Sequence, residues 1–344
     1  MQVQVKIEQI IQEIGDAFTL ELENHPEIAN YKPGQFLNFF LDINGEEVVR
    51  QYSFSTSPYL NEKPGITIKR VPGGLASNYL GDQFKPGDSI EVSTPNGRFT
   101  TSTNNGRQIL MVAGGSGITP LYSILKTILA SESDSIISLF YANRNADSII
   151  FRNQLDSFER QYESRLKVTH FLSENNNETL DNAIYRRLNP KDFQKYIDTY
   201  WKQNPEAFIC GPDSIMKMSQ DSLINLGVPD ERIKTEAFVG SGFGENAAGH
   251  EEAFTEVIIE NFNGAPVTFS ANRNQSVLKS AFDAGFRLKH SCQESMCGAC
   301  KVRLLSGKLN MKTNYALPDD ELDQGYVLLC SGFPESDKLE LQYE

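Results

Sequence analysis

The first hundred residues alternate polar and apolar side chains in short runs. Val3, Val5 and Ile7 open the pattern, and Phe36-Leu37-Asn38-Phe39-Phe40-Leu41 and Ser89-Ile90-Glu91-Val92 continue it. Pro33-Gly34, Asn44-Gly45, Pro64-Gly65 and Pro86-Gly87 break the runs. That cadence predicts an antiparallel β-barrel over residues 1–104. From residue 105 the pattern changes. Ile109 to Ala113 reads as a strand, and Leu121, Ile124, Leu125, Ile128 and Leu129 recur at helical spacing, with Thr119 as the expected cap and Pro120 at the first helical position. A strand from Ile136 to Ala142 and a helix marked by Phe151, Leu155, Phe158 and Tyr162 come next. They are followed by a strand from Ala207 to Cys210 and a helix from about 213 to 226, expected to start on Asp213 and stop at Gly227. The alternation predicts an α/β domain with a parallel sheet over 105–238. Residues 239–253 are Gly-rich and polar and read as a linker. In 254–344, strands around Val257–Glu260 and Val267–Phe269 flank Asn263-Gly264, a helix spans Ser276 to Ala284, and Lys301 to Leu305 forms another strand.

Composition narrows the function classes. The chain is 39% hydrophobic and 22% charged, an ordinary globular mix. Its 344 residues fit two to three domains at roughly 150 residues each. With 32 Lys+Arg against 45 Asp+Glu the formal charge is −13, a poor match to nucleic acid or anionic lipid. The apolar run Ile109–Ala113 is far short of the roughly 20 residues of a membrane span. The opening residues lack a basic n-region, so the expected location is cytoplasmic.

Five cysteines are present, and four lie in Cys292-x4-Cys297-x2-Cys300-x29-Cys330. The clustering argues against a disulfide scaffold. Three thiolates on one loop and one distant thiolate match the ligand spacing of a plant-type [2Fe–2S] cluster. A four-cysteine zinc site is the alternative, although zinc ribbons pair two short knuckles.

Other residues suit organic cofactors. A flavin needs a cation and N–H donors for its phosphates, an aromatic face for its ring and a hydrogen-bonding group near N5. Arg50, Gly74 with Ser77, Tyr52 and Ser53 offer these in turn, the glycine and serine lying in a run that begins at Lys69 and Val71. The strand ending at Ala113 runs into Gly114-Gly115-Ser116-Gly117-Ile118-Thr119-Pro120. A strand, a glycine loop and a helix N-terminus can accept a phosphate on backbone N–H groups. A structural turn is the other reading of that loop. The strand ending at Cys210-Gly211-Pro212 finishes where open parallel sheets bind ligands, although buried packing is the commoner role of a lone cysteine such as Cys210. The histidines, at 25, 170, 250 and 290, form no two-His helical pair and read as surface or packing residues.

Taken in order, Pro33-Gly34-Gln35-Phe36, Arg50-x-Tyr52-Ser53, Gly74-x-x-Ser77, Gly114 to Pro120, Cys210-Gly211-Pro212 and the four clustered cysteines resemble the ferredoxin–NADP⁺ reductase superfamily with a C-terminal plant-type ferredoxin. The resemblance spans almost the whole chain. The segments Met311–Leu317 and Leu322–Cys330 are similar to the reductase subunits of phenylacetyl-CoA epoxidase and of steroid-ring hydroxylases. It implies a β-grasp fold for the last domain. It also implies FAD on the barrel, with FMN the minority option, held by Arg50, Tyr52, Ser53, Gly74 and Ser77. Gly115, Gly117, Thr119, Pro120, Cys210 and Gly211 would meet a nicotinamide nucleotide, and Phe238 would lie near the flavin. Cys292, Cys297, Cys300 and Cys330 would hold the cluster. Where the superfamily often has glycine three residues after the first ligand, this chain has Ser295. The implied activity is electron flow from NAD(P)H through FAD and [2Fe–2S] to a protein acceptor, foremost a separate oxygenase. Service to a desaturase or other redox protein, or a non-catalytic sensor role, are the rival readings. Arg144, at the tip of the strand Ile136–Ala142 where no acid stands, favours NADPH as donor, with NADH as the alternative.

Overall fold

The computed structural model describes residues 2–174, 179–200, 205–237, 253–262, 264–290, 295, 298–314 and 316–343. Phe238, Cys292, Cys297, Asn175–Asn177 and nearly all of the 239–253 segment lie outside the described residues. The chain forms two compact units, Met1–Phe238 and Val239–Glu344.

The first unit begins with six antiparallel strands: β1 (Gln2–Ile14), β2 (Ala17–Leu22), β3 (Phe36–Ile43), β4 (Glu46–Ser53), β5 (Gly65–Lys69) and β6 (Ser89–Ser93). Helices α1 (Pro26–Ala29) and α2 (Leu75–Gln83) interrupt them. Their order is β4-β3-β6-β1-β2-β5. An antiparallel bridge between Phe54 and Ile66 joins the two ends, so the sheet closes as the alternation predicts. Inward residues such as Val5, Leu20, Phe39 and Ile68 are fully buried and fill the interior. Asn44 and Gly45 take left-handed conformations (φ 58° and 83°) in a tight hairpin between β3 and β4. Pro64-Gly65 is not a turn. Gly65 starts β5, and a side chain there would meet Thr56 Cγ2 at 2.6 Å.

Six parallel strands follow, in the order β10-β9-β8-β7-β11-β12: β7 (Gln108–Gly114), β8 (Ile136–Asn143), β9 (Leu166–Leu172), β10 (Ala183–Ile184), β11 (Glu206–Gly211) and β12 (Ile233–Ala237). Helices α3 (Ile118–Ser131), α4 (Arg152–Gln161), α5 (Pro190–Tyr200) and α6 (Asp213–Asn225) connect them. The chain adds strands outward on one side of β7 and then returns to its other side at β11. The strand order therefore reverses between β7 and β11, the position where such sheets bind ligands at their C-terminal ends. Two helix starts differ from expectation. A 3₁₀ turn at Gly115–Gly117 precedes α3, so Thr119 lies inside the helix and its hydroxyl donates to the Ser116 carbonyl at 3.1 Å. Asp213 opens the first turn of α6, with Pro212 in the cap position.

Residues Ile118 to Leu129 of α3 are buried on every side because the helix lies between the parallel sheet and the barrel. Its polar groups find partners across that seam. Ser123 Oγ donates to the Thr56 carbonyl at 2.5 Å, and the Ser57 and Thr127 hydroxyls lie 2.7 Å apart. Lys126 Nζ sits 2.5 Å from Glu62 and 4.6 Å from the centre of the Tyr122 ring. Burial pulls the Lys126 pKa down, and Glu62 opposes that shift.

The second unit is a sheet in the order β14-β13-β19-β15-β17, from β13 (Phe254–Phe262), β14 (Ala265–Asn272), β15 (Lys301–Ser306), β17 (Tyr326–Leu328) and β19 (Lys338–Gln342). Strands β16 (Leu309–Met311) and β18 (Gly332–Pro334) form a separate pair. The terminal strand β19 lies parallel to β13 at the sheet's centre, a mixed pattern consistent with the β-grasp expectation. Helix α7 (Val277–Asp283) packs on the sheet, with the Ser276 hydroxyl accepting from Lys279 N–H, and α8 (Asp319–Asp323) follows β16. No helix among the described residues is long and apolar enough to cross a membrane.

Candidate active site and cluster loop

A cleft of about 890 Å³ opens between the barrel and the C-terminal ends of the parallel strands. Four of the sequence-selected residues line it: Lys69, Val71, Gly115 and Arg144. The loops after β7 and β11 form its floor by packing backbone against backbone. A Cβ on Gly117 would sit 2.2 Å from the Cys210 carbonyl oxygen, and one on Gly114 would sit 2.6 Å from Pro212 Cδ. Only glycine permits that approach. Gly115 is different: it has φ 53°, and nothing among the described residues lies within 4 Å of a Cβ there. The fully buried Tyr141 donates its hydroxyl to the Gly115 carbonyl at 3.1 Å, tying the glycine loop to β8.

On the barrel, Arg50 and Tyr52 occupy alternate positions of β4 and so share a face. Arg50 Nη1 donates to the Val49 carbonyl at 2.8 Å, and Tyr52 packs edge-on against Phe39 with ring centres 5.3 Å apart. Burial pushes the Tyr52 phenol above its usual range. Gly74 precedes α2 with no side-chain cap, leaving that helix N-terminus open to an acceptor. The Ser77 hydroxyl accepts from Val71 N–H at 3.1 Å, and Asn78 Nδ2 donates to the carbonyls of Gly74 (2.7 Å) and Val71 (3.0 Å). The 71–78 loop is braced from within.

Where the two parts of the unit meet, three side chains converge. Ser53 Oγ donates to Glu236 Oε2 at 3.4 Å, and Glu236 lies near Cys210. Ser53, Cys210 and Glu236 are all buried. Burial raises the Glu236 carboxyl from 4.5 to about 8, against the smaller opposing effect of the Ser53 hydroxyl. Burial first, and the Glu236 charge second, push the Cys210 thiol up. At neutral pH the trio is therefore a thiol, a hydroxyl and a carboxyl that keeps its proton, in a dry setting.

Because the folded state holds the Glu236 proton where the unfolded chain releases it, stability falls as pH rises from about 4.5 to about 8. One pKa unit corresponds to about 1.4 kcal/mol, so the whole effect is on the order of 4–5 kcal/mol. Urea unfolding at about pH 6 and about pH 8 should show a loss of roughly 2 kcal/mol that Glu236→Gln abolishes. Parallel slopes for the two proteins would place the Glu236 pKa near its ordinary value.

In the second unit Cys300 is buried and Cys330 half-buried. Leu329 N–H donates to the Cys300 carbonyl at 3.2 Å, which brings the two cysteine segments together. Ser295 N–H points at Cys330 Sγ, 3.2 Å away. Gly298 has φ 71°, and among the described residues only Ala316 Cβ comes near its open side, 3.8 Å from where a Cβ would stand. A backbone N–H aimed at a cysteine sulfur is donor chemistry that suits an iron–sulfur cluster.

Family models for an oxidoreductase FAD-binding domain, an oxidoreductase NAD-binding domain and a 2Fe-2S iron-sulfur cluster binding domain match residues 2–101, 111–221 and 260–335. The chain is 34% identical to the ferredoxin reductase component of 3-ketosteroid-9-alpha-monooxygenase from Mycobacterium tuberculosis, over 99% of this chain and 96% of the relative. This chain is a member of the ferredoxin reductase family with a C-terminal 2Fe-2S domain. The reductase is also 33% identical to one of the subunits of 1,2-phenylacetyl-CoA epoxidase from Escherichia coli, over 90% and 87% of the two chains. Its fold matches that of phthalate dioxygenase reductase, with a TM-score of 0.60, 24% identity, and 99% and 98% of the chains covered. The reductase is an oxidoreductase that uses FAD, a nicotinamide nucleotide and a [2Fe–2S] cluster.

The residues of the reductase fit these groups. The flavin side presents a half-buried guanidinium and an open helix N-terminus. The nucleotide side presents the glycine floor. Sequence reading passed over Tyr141 and above all Glu236. The available signal for Glu236 was an acid at the apolar end of a short strand, Ile233-Lys234-Thr235-Glu236-Ala237.

Proposed function

We propose that this reductase takes electrons from NADPH and delivers them to a separate oxygenase component. End-to-end similarity to reductase components of monooxygenases carries this reading. In it, residues 1–104 hold FAD, 105–238 hold the nucleotide, 239–253 link, and 254–344 hold the cluster. Arg50 and the Gly74–Ser77 turn take the flavin phosphates, Tyr52 lies against the ring and Ser53 reaches toward N5. Gly115, Gly117, Thr119, Pro120 and Gly211 form the nucleotide floor. Cys210 and Phe238 border the nicotinamide, and Cys292, Cys297, Cys300 and Cys330 ligate iron. When bound, the flavin supplies the conversion of a two-electron hydride into single electrons, and the cluster supplies one-electron transfer. The protein's own part is alignment. The glycines let the loops after β7 and β11 pack closely beneath the cleft, the buried Ser53–Glu236–Cys210 group excludes water, and Glu236 keeps a proton at its Oε beside it.

Cations support NADPH. Arg144 is 74% exposed, with Glu174 4.0 Å away, and Arg187 also lines the cleft. An exposed pair of this kind is worth at most about 1 kcal/mol, so a 2′-phosphate readily displaces it. Asp147 lines the same rim. The test compares kcat/KM for NADPH and NADH, using cytochrome c as acceptor. NADPH should be preferred by about tenfold, a charge-assisted contact being worth about 1.5 kcal/mol, and Arg144→Ala should erase the preference. A wild type preferring NADH would overturn the donor assignment. Absence of any turnover would leave the sensor reading in its place. Adding the oxygenase encoded by a neighbouring gene should then couple donor oxidation to product formation, and uncoupled turnover would favour another acceptor.

A further inference from the structure

We propose that the hydroxyl groups of Ser295 and Thr313 set the reduction potential of the cluster through Cys330. The inference rests on the reading of Cys330 as a cluster ligand. Ser295 stands where the superfamily often has glycine, and it adopts the conformation that favours glycine, φ 63°, while only 2% exposed. A serine side chain in the left-handed region is costly unless its surroundings hold it. Here they do: Ser295 Oγ lies 2.8 Å from Thr313 Oγ1 and 3.9 Å from Cys330 Sγ, and Ser295 N–H is 3.2 Å from the same sulfur. Thr313 is exposed and can accept from water while it donates to Ser295. That polarity turns the Ser295 O–H toward the sulfur, and hydroxyls in series strengthen one another. Two donors from a single residue then face one thiolate, where a glycine would offer one. Donors to cluster sulfurs favour the reduced, more negative state and raise the potential.

The experiment uses the full-length holoprotein and reads the cluster midpoint potential by an EPR-monitored redox titration, with the flavin potential of the same sample as reference. Ser295→Gly keeps the backbone donor, relieves the strained conformation and removes the hydroxyl. Thr313→Val removes the outer hydroxyl and leaves the loop untouched. Both should make the cluster harder to reduce by three- to tenfold in the one-electron equilibrium, tenfold being about 59 mV, with the flavin unmoved. The double variant should shift no further than Ser295→Gly alone. If Ser295→Gly fails to assemble a cluster, Thr313→Val decides. Potentials within twofold of wild type in both variants would overturn the proposal, as would a shift in Ser295→Gly without one in Thr313→Val. A wild-type protein without iron would instead overturn the ligand reading on which the proposal rests.

Discussion

Purified Cys330→Ser protein is expected to hold flavin but no iron, and to lose reduction of one-electron protein acceptors to background while flavin reduction by NAD(P)H persists. The half-buried Cys330 sulfur accepts from Ser295 N–H and adjoins Leu329, whose own N–H binds the Cys300 carbonyl. Serine keeps the volume but offers a hydroxyl that stays protonated, and a hard oxygen is a poor ligand for iron that is otherwise held by soft thiolates. The first unit has its own hydrophobic cores, so the flavin and nucleotide sites have no reason to fail with the loop. Iron analysis together with separate ferricyanide and cytochrome c assays reads both halves of the prediction. Retained iron with full cytochrome c reduction would remove Cys330 from the ligand set.

Gly117→Ala should be the most damaging single methyl in the floor formed by the loops after β7 and β11. Its Cβ would stand 2.2 Å from the Cys210 carbonyl oxygen, 2.5 Å from that carbonyl carbon and 2.7 Å from Gly211 nitrogen, all backbone atoms that cannot rotate away. The loops after β7 and β11 must separate. Overpacking of this kind costs about 1–3 kcal/mol of stability. The functional loss is larger, because displacing one reactant by about 1 Å costs on the order of a hundredfold in rate. Stopped-flow flavin reduction should therefore show kcat/KM for NAD(P)H down by about a hundredfold, with flavin content normal. Gly115→Ala is the control: its Cβ meets nothing within 4 Å, although its φ of 53° leaves some backbone strain. Equal damage at both positions would mean that the loops do not need their close approach.

Local signals in the sequence located much of the fold. Apolar runs bounded by turn residues marked β3, β6, β7, β8 and β11 to within a residue or two, because a strand's burial pattern is written in its own residues. Asn44-Gly45 marked its hairpin because few residues accept the left-handed conformation. Pro64-Gly65 misled for a related reason: Gly65 is required by its close packing against Thr56 on a neighbouring segment, not by a turn. The start of α3 was misplaced because one 3₁₀ turn of glycines is invisible to helical spacing.

The parts of the site that escaped sequence reading are those made by long-range burial. Glu236 is 183 positions from Ser53, and nothing in its neighbours says that it will lie dry against a hydroxyl and a thiol. Lys126 is likewise buried by distant parts of the chain, because the barrel covers that face of α3 and Glu62 meets it. The spacing written in the chain singled out Cys300 and Cys330, whose segments the fold brings together, whereas the hydroxyl contacts of Ser295 come into view only once Thr313 and Cys330 stand beside it.

The most direct test of electron transfer by this reductase is the absorption spectrum of the purified protein before and after anaerobic addition of NADPH. The expected result is flavin bands over broad iron–sulfur absorption, with equal amounts of iron and acid-labile sulfide, and bleaching of both features by the nucleotide. Zinc without iron, or an iron–sulfur absorption that the nucleotide never bleaches while the flavin is reduced, would contradict it.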